Sequence, residues 1–265
     1  MNPVLAEAQA YIRRAWRVIP LHSVTQGRCS CRRPDCSSPG KHPTTPKGLH
    51  SASTDLAVVN AWWDRWPWAN VGIVTGQISG LVVLDVDPRH DGDDSLYRLE
   101  QRHGTLPETV EVVTGSGGRH LYFQHPGEPV RNSAGRLGTG LDLRGDGGYV
   151  VAPPSSHISG RFHQWEASSR PGQVPLADMP AWLTEIHQSP ITETHPTTGE
   201  IVAVAGGRNI WLTSFAGSIR RRGLSEPVIH AALVAANTHH CCPPLDAREV
   251  AVIAKSVARY TPAEM

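Results

Sequence analysis

The sequence predicts an α+β body followed by a small all-helical module, and three observations carry that expectation. Between about residues 68 and 166 the apolar residues fall in short runs: "VGIVT", "LVVLDVD", "VEVVT", "RHLYFQ", "GGYVVAP" and "RFHQW". Gly, Pro or Asn separates most of these runs, which is strand patterning. One helical period intervenes, at about 93–103, so the chain does not alternate strand and helix regularly. Past residue 204 the pattern changes to three amphipathic stretches, "RNIWLTSFAGSIRRRG", "SEPVIHAALVAANTHH" and "DAREVAVIAKSVARY", with Gly223 and Pro243–Pro244 as stops.

Taken in order, residues 3–17 read as a helix, with Leu5, Ala8, Tyr11, Ile12 and Ala15 near a 3.6 period. Residues 26–48 are rich in Gly, Pro, Ser and Cys and read as a loop. Ser53 or Thr54 can cap a helix to about Arg65 that carries Leu56, Val59, Trp62 and Trp63. That spacing points Trp62, Trp63 and Trp66 to the core rather than to a base-stacking platform. The Thr- and Pro-rich "QSPITETHPTTG" opens a linker. The expected boundaries are therefore 1–187 for the body, 188–203 for the linker and 204–265 for the helical module.

The chain has 265 residues, 39% of them hydrophobic and 18% charged, the balance of a globular protein with a sizeable core. No apolar run approaches the roughly 20 residues that span a membrane. The first 21 residues hold Arg13, Arg14 and Arg17 and lack the apolar core of a signal peptide, so a cytoplasmic location is expected. The net charge of +1 is unevenly spread. Residues 1–50 carry eight Lys/Arg against two acids, residues 205–265 seven against four, and the stretch between them ten against eighteen. Basic ends around an acidic middle suit a protein that handles polyanions with the help of cations.

The acidic middle contains "LVVLDVDPRHDGDD", residues 81–94. Residues i and i+2 of a strand share a face, so Asp85 and Asp87 project together, roughly 6.6 Å apart at the backbone. Two such carboxylates repel unless a cation lies between them, and hard oxygen ligands favour Mg²⁺ or Mn²⁺. An EF-hand loop is excluded because His90 stands where the sixth-position Gly belongs. A phosphatase with an aspartyl nucleophile would carry Thr or Val where Arg89 stands. A sugar-nucleotide transferase stays open, although it would place a nucleotide-binding α/β unit where this chain has a Cys-rich loop. Asp91, Asp93 and Asp94 suit the turn and the start of the next helix.

"TGSGGRHLYF" follows a strand, and Ser116, Gly117 and Gly118 can let backbone amides converge on an anion. Of Arg119 and His120, which alternate faces, His120 is assigned to the site, where an imidazole can donate to a triphosphate. In "GLDLRGDGG", Asp142 or Asp146 can supply a third metal ligand. Asp142 is preferred because Leu141 and Leu143 flank it in a strand-like pattern, and Arg144 on the same face can meet a phosphate. Asp146 has turn composition around it. Three acids, a glycine turn with His and an Arg point to metal-assisted phosphoryl or nucleotidyl transfer.

Three of the five cysteines lie within eight residues. Cys29, Cys31, Cys36 and the nearby His42 have the number and type of ligands of a closed structural zinc site. The Cys-x-Cys spacing is tighter than the usual Cys-x₂-Cys. Arg28, Arg32, Arg33, Lys41 and Lys47 surround the cluster and are expected to help hold template or nucleotide. Cys241 and Cys242 are expected to be buried in the helical module.

The order of these motifs resembles the archaeo-eukaryotic primase superfamily, and in particular its bifunctional primase–polymerase (Prim-Pol) domain, found in plasmids, phages and integrated elements. The resemblance rests on "CSCRRPDCSSPGKHP", "ANVGIVTG", "SGLVVLDVDP", "TGSGGRHLYF" and "GLDLRGDGGYVVAPPS", and covers about residues 5–185. The C-terminal "GGRNIWLTSFAGSIRRRGLSE…PPLDAREVAVIAKSVARY" is similar to the helical primase C-terminal module that often follows. The resemblance implies an RRM-like sheet, and priming and polymerisation from NTPs or dNTPs on a single-stranded DNA template and primer. It implies that Asp85, Asp87 and Asp142 hold two divalent ions and that His120 contacts the triphosphate. Many relatives continue into a helicase; this sequence ends at Met265, so unwinding is expected either to come from a partner such as a separate replicative helicase or not to be involved. Two other functions remain open at this point: a metal-dependent nucleotidyltransferase on a non-template substrate, and a non-catalytic DNA-binding replication accessory.

Overall fold

The computed structural model of the protein describes residues 2–188, 203–204, 208–221 and 223–258. The chain divides into two compact units, Met1–Ser189 and Pro190–Met265. The expected linker at 188–203 falls, apart from its end residues 188 and 203, outside the described residues. No helix among them is long and apolar enough to cross a membrane.

The first unit opens with α1 (Pro3–Ile12), capped by the Asn2 side chain, which accepts from the amides of Val4 and Leu5. This helix is shorter than the expected 3–17. The chain turns out of it, with Ala15 at φ +60°, and seats Trp16 in the core beside Tyr11 and Tyr122. β1 (Val18–Leu21) follows, then a small hairpin of β2 (Val24–Thr25) and β3 (Arg28–Cys29) that leads into the Cys-rich loop. α2 (Leu56–Arg65) is capped by Asp55, which accepts from the amides of Ala57 and Val58. Ser53 is not the cap; its hydroxyl accepts from the Asp55 amide. Trp63 is buried, and Trp62 and Trp66 pack against the same core, while Trp68 is exposed.

β4 (Asn70–Val74) is the middle strand of a three-stranded antiparallel sheet, between β1 and β10 (Tyr149–Ala152). A larger sheet is centred on β5 (Leu81–Val86). On one side of β5 lie β7 (Arg119–Gln124), β6 (Val110–Val113) and β11 (Gln164–Trp165). On the other lie β9 (Leu141–Arg144) and β8 (Ser133–Ala134), and β12 (Ala177–Asp178) adds a parallel pairing to β7. Four of these strands, β6, β7, β5 and β9, form an antiparallel set whose chain order across the sheet is 2-3-1-4. α3 (Gly92–His103) crosses from β5 to β6. That is an RRM-like sheet with a split β-α-β unit, and the body is α+β as expected.

Strand alternation divides β5 between two cores. Val82, Leu84 and Val86 face a cluster with Leu121, Phe123, Leu141 and Leu143, covered by Leu96 of α3 and Leu183 of α4 (Ala181–Gln188). Leu81 and Val83 face the opposite cluster, with Val110, Val112, Tyr122 and residues of α1, α2 and β4. Both faces of β5 are thus covered until the apolar residues run out at Asp85. Burial on both faces specifies strand register strongly, since a one-residue slip would exchange the two sets.

The second unit contains α5 (Arg208–Arg221), α6 (Glu226–His240) and α7 (Ala247–Ala258). Leu212, Ala216, Ile229, Leu233, Val250 and Ile253 share its core. A two-strand parallel pairing joins β13 (Ala203–Val204) to β14 (Cys241–Cys242). Cys241 is buried as expected, but Cys242 is exposed, because successive strand residues point to opposite faces.

The Asp55 cap gives a direct check on α2. Asp55→Ala should lower stability by about 1 kcal/mol, read as a shift in the urea unfolding midpoint at unchanged slope.

Candidate active site

The register of the central strands gathers residues that the sequence holds far apart. Asp85 of β5 pairs directly with His120 of β7 on one side and with Asp142 of β9 on the other. Directly opposed residues share a face, so His120, Asp85 and Asp142 form one row across three adjacent strands. Arg144, two residues on from Asp142, lies on the same face opposite Val83. The row stands where the apolar covering of this face ends, and there a cavity of about 340 Å³ opens. Asp85, His120 and Arg144 line it, together with Asp87, Arg89, Ser116, Tyr149, His163, Ser38 and Lys41.

Asp87 and Asp142 are each neutralised by a direct ion pair, and the three acids are not collected into one cage. Asp87 lies just past β5 and caps a short 3₁₀ turn, accepting from the Arg89 amide. Its carboxylate also takes both the Nε and the terminal nitrogen of Arg89, at 3.0 and 2.8 Å, and lies 3.1 Å from His90 Nδ1. Burial works against ionisation of Asp87, yet these bonds outweigh it and hold its pKa at about 2. Asp142 is paired with Arg144 at 2.7 Å and accepts from the Gly135 amide. Asp85 lies 3.9 Å from Arg144, which it shares with Asp142, and 3.6 Å from His120 Nε2. Burial raises its pKa, with Asp87 adding to the rise and Arg144 opposing it. Among the described residues the only group whose candidate ligand atoms all lie within 4.8 Å of one another is the cysteine cluster, not the three acids.

His120 is buried and its Nδ1 finds no hydrogen-bond partner among the described residues. Burial, then the charges of Arg144 and Lys41, lower its pKa to about 3, so the ring is neutral near pH 7. His163 stands beside it, ring centroids 6.1 Å apart, and is lowered to about 3 by burial and by His120. Arg119, on the opposite face, pairs with Asp93 at 3.0 Å.

The glycine turn differs from the expected anion nest. The Gly117 amide donates to Thr114 O and the Gly118 amide to Thr114 Oγ1, so both are spent closing the turn. The glycines are needed for fit instead. Gly117 has φ +91°, and a Cβ at Gly118 would lie 2.5 Å from the Val86 carbonyl. This packs the turn onto the end of β5 and leaves Thr114 and Ser116 as its members on the cavity wall. Asp146, the rejected third acid, braces loops: it accepts from the amides of Gln77 and Val130.

The cysteine cluster is compact. Cys29 Sγ and Cys36 Sγ each lie 3.5 Å from His42 Nε2. A tetrahedral site with Zn–S of about 2.3 Å and Zn–N of about 2.0 Å has S···N edges of about 3.5 Å, so these residues fit a zinc ion. Burial, then Arg33, lower the His42 pKa and keep its imidazole in the neutral form that a ligand requires. The Gly40 amide donates to Cys29 Sγ at 3.4 Å. Arg28, Arg32 and Arg33 line a separate hollow beside this cluster, and Lys41 lines the acidic cavity.

Sequence patterns did not mark Ser38, Arg89, Tyr149 or His163 as site residues. Each reaches the cavity from a different segment, and although Ser38, Arg89 and Tyr149 lie inside motif-bearing stretches, nothing local set their side chains apart as site residues. The nearest signal for His163 is its alternation with Trp165 in "RFHQW", which puts the two on one face.

An acidic strand end, a neutral histidine and flanking guanidiniums in one cavity suit a protein that handles nucleotides, and the sequence comparisons sharpen this. Residues 8–182 match the family described as "Bifunctional DNA primase/polymerase, N-terminal", and residues 200–263 match "Primase C terminal 1". The two matches define a DNA primase/polymerase-type replication protein, with DNA and nucleotides as its substrates. The first match spans well over half of the chain, so the chain belongs to the bifunctional DNA primase/polymerase family. No curated protein matches it.

The neutral histidines make stability depend on pH in a definite direction. Their folded pKa values of about 3 lie below the ordinary value near 6.5. Their contribution is therefore present above about pH 6.5 and is lost as pH falls toward 3, by up to about 1.4 kcal/mol per pH unit for each ring. In metal-free protein, urea midpoints measured from pH 7 to 5 should fall less steeply for His163→Gln than for the wild type. Equal slopes would mean that His163 titrates as it does in the unfolded chain.

Proposed function

We propose that the protein is a template-dependent DNA primase/polymerase that joins nucleoside triphosphates on single-stranded DNA, in the replication of a plasmid, phage or integrated element. The observation that carries this is the row of His120, Asp85 and Asp142 across three adjacent strands, at a cavity shared with Asp87, in a chain of this family. Asp85, Asp87 and Asp142 would hold two Mg²⁺ or Mn²⁺ ions. When bound, such ions activate the attacking 3′-hydroxyl and neutralise the triphosphate and the pyrophosphate leaving group.

The chain's own residues prepare for that charge. Arg89 and Arg144 already neutralise Asp87 and Asp142 through direct pairs, and both line the cavity. Divalent cations that take over the carboxylates would free these guanidiniums for phosphate oxygens, whose geometry they match in bidentate fashion. His120, neutral and buried, would donate one N–H to the triphosphate without adding a proton to the site. Ser116 offers a hydroxyl to the same phosphates. Gly117 and Gly118 act by letting the turn approach β5 rather than by direct contact. A structural Zn²⁺ on Cys29, Cys31, Cys36 and His42 would hold the loop 26–48, which has only the small β2–β3 hairpin for regular strand structure.

Primer extension on a single-stranded template tests the central reading. Asp85→Ala/Asp87→Ala should lower templated synthesis by about 100-fold or more, equivalent to about 2.7 kcal/mol of barrier. An absence of templated products from the wild type with either metal would sink the proposal. His120→Ala should raise the KM for nucleotide well above any change in DNA affinity, and equal losses in both would remove the assigned role.

Elemental analysis of protein purified without chelator should give about one zinc per chain, falling to near zero in Cys31→Ser. Zinc-free wild type under those conditions would refute the metal site.

A further inference from the structure

Gly40, Lys41 and His42 are consecutive, yet they belong to two sites. The Gly40 amide donates to Cys29 Sγ, and His42 is one of the four candidate zinc ligands. Between them, Lys41 lines the acidic cavity with Asp85, Arg89 and Arg144.

The backbone around Lys41 is held from several directions. Its carbonyl accepts from the Tyr149 hydroxyl at 2.8 Å. Asn70 Nδ2 donates to Gly40 O at 3.0 Å, and the His22 amide to His42 O at 2.8 Å. Gly40 sits at φ +74°, where a Cβ would lie 2.7 Å from Val24 Cγ2. The cysteine cluster and Lys41 thus share one short backbone segment, with a cluster contact on either side of Lys41.

The Lys41 ammonium is uncommitted, unlike its neighbours. Arg89 is paired with Asp87 and Arg144 with Asp142. Among the described residues Lys41 makes no ion pair within 4 Å. Its charge nonetheless reaches across the cavity, opposing the rise in the Asp85 pKa and adding to the lowering at His120, His157 and His163. An unpaired cation on the wall of a cavity floored by acids is suited to the outer oxygens of a polyphosphate whose inner charge is met by metal ions.

We propose that Lys41 binds the phosphates of the incoming nucleoside triphosphate, and that metal occupancy of Cys29, Cys31, Cys36 and His42 sets its position, so that the cysteine loop governs nucleotide affinity. This rests on the primase/polymerase reading above. The occupant is the nucleotide rather than the template, because Lys41 shares its cavity with Asp85 and His120.

The test uses the full-length zinc-loaded protein. Affinity for a non-hydrolysable deoxynucleoside triphosphate with Mg²⁺ is measured by calorimetry, and affinity for a single-stranded oligonucleotide by fluorescence anisotropy. Lys41→Ala should weaken nucleotide binding about tenfold, which corresponds to about 1.4 kcal/mol, with oligonucleotide affinity kept within about twofold. Lys41→Arg should recover part of the loss. Inorganic tripolyphosphate should compete about tenfold less well in Lys41→Ala, which assigns the contact to phosphate rather than to base. Zinc removal should weaken nucleotide binding in the wild type by a similar factor and add less than about twofold in Lys41→Ala, as two changes acting through one contact do.

Unchanged nucleotide affinity in Lys41→Ala overturns the proposal, as does a loss confined to the oligonucleotide. Additive losses from zinc removal and Lys41→Ala overturn the coupling, and so does global unfolding on zinc removal, read by circular dichroism. A wild type that binds no triphosphate would bring down the primase/polymerase reading as well. A wild type that binds and extends, with Lys41→Ala indistinguishable from it, brings down the role of Lys41 alone.

Discussion

Everything at the candidate active site depends on the pairing of one strand. β5 is hydrogen-bonded on both edges and buried on both faces, so its apolar residues have no freedom to exchange sides. Val82, Leu84 and Val86 must meet the helices α3 and α4, and Leu81 and Val83 must meet the opposite core. With that parity set, Asp85 has one face available to it. The neighbouring strands obey the same alternation: Leu121 and Phe123 oppose His120 and Tyr122, and Leu141 and Leu143 oppose Asp142 and Arg144. The hydrophobic effect thus orders the polar row indirectly, by claiming every other residue of three strands.

The row is placed at an electrostatic cost that the surroundings offset. A carboxylate and an imidazole half-removed from water prefer their neutral forms. His120 accepts this and stays neutral, while Asp85 is pushed upward but steadied by Arg144. Asp87 and Asp142, as exposed as Asp85, are answered by guanidiniums directly. The consequence is a cavity with cations and anions already interleaved. The family assignment fits this balance, because a nucleotide brings its own negative charge to it.

The loop at 26–48 meets a different constraint. It offers few apolar residues, and several of its side chains are exposed, so packing alone has little to hold it with. Its Cys29, Cys31, Cys36 and His42 ligand atoms lie within 4.8 Å of one another, an arrangement in which a bound metal ion would supply what a core otherwise provides. Because the loop also leans on β10 through Tyr149 and on β4 through Asn70, its order is shared with the sheet that walls the cavity.

Much of this was legible in the residues alone. Apolar runs bounded by Gly and Pro marked β4, β5, β6, β7 and β10, and the change of period marked the three C-terminal helices. The acids, His120 and the Cys₃His set stood out because each belongs to a short, local pattern. Other elements were hidden for physical reasons. β1 contains Pro20, which argues against a strand except at a sheet edge, and an edge is where β1 lies. α1 stops at Ile12 because Trp16 is drawn between Tyr11 and Tyr122, contacts that no local period encodes. The glycine turn looked like a phosphate cradle, yet its amides answer Thr114, and its glycines serve a close approach to Val86. Sequence by itself determined which residues had the chemistry, because side-chain type and two-residue alternation are local properties. Tertiary structure alone decided that Asp85, Asp142 and His120 stand in one row, that Asp87 and Asp142 are each paired with an arginine, and that Lys41 and His163 reach the same cavity. Those facts follow from register and packing between segments as much as 120 residues apart, from Lys41 to His163.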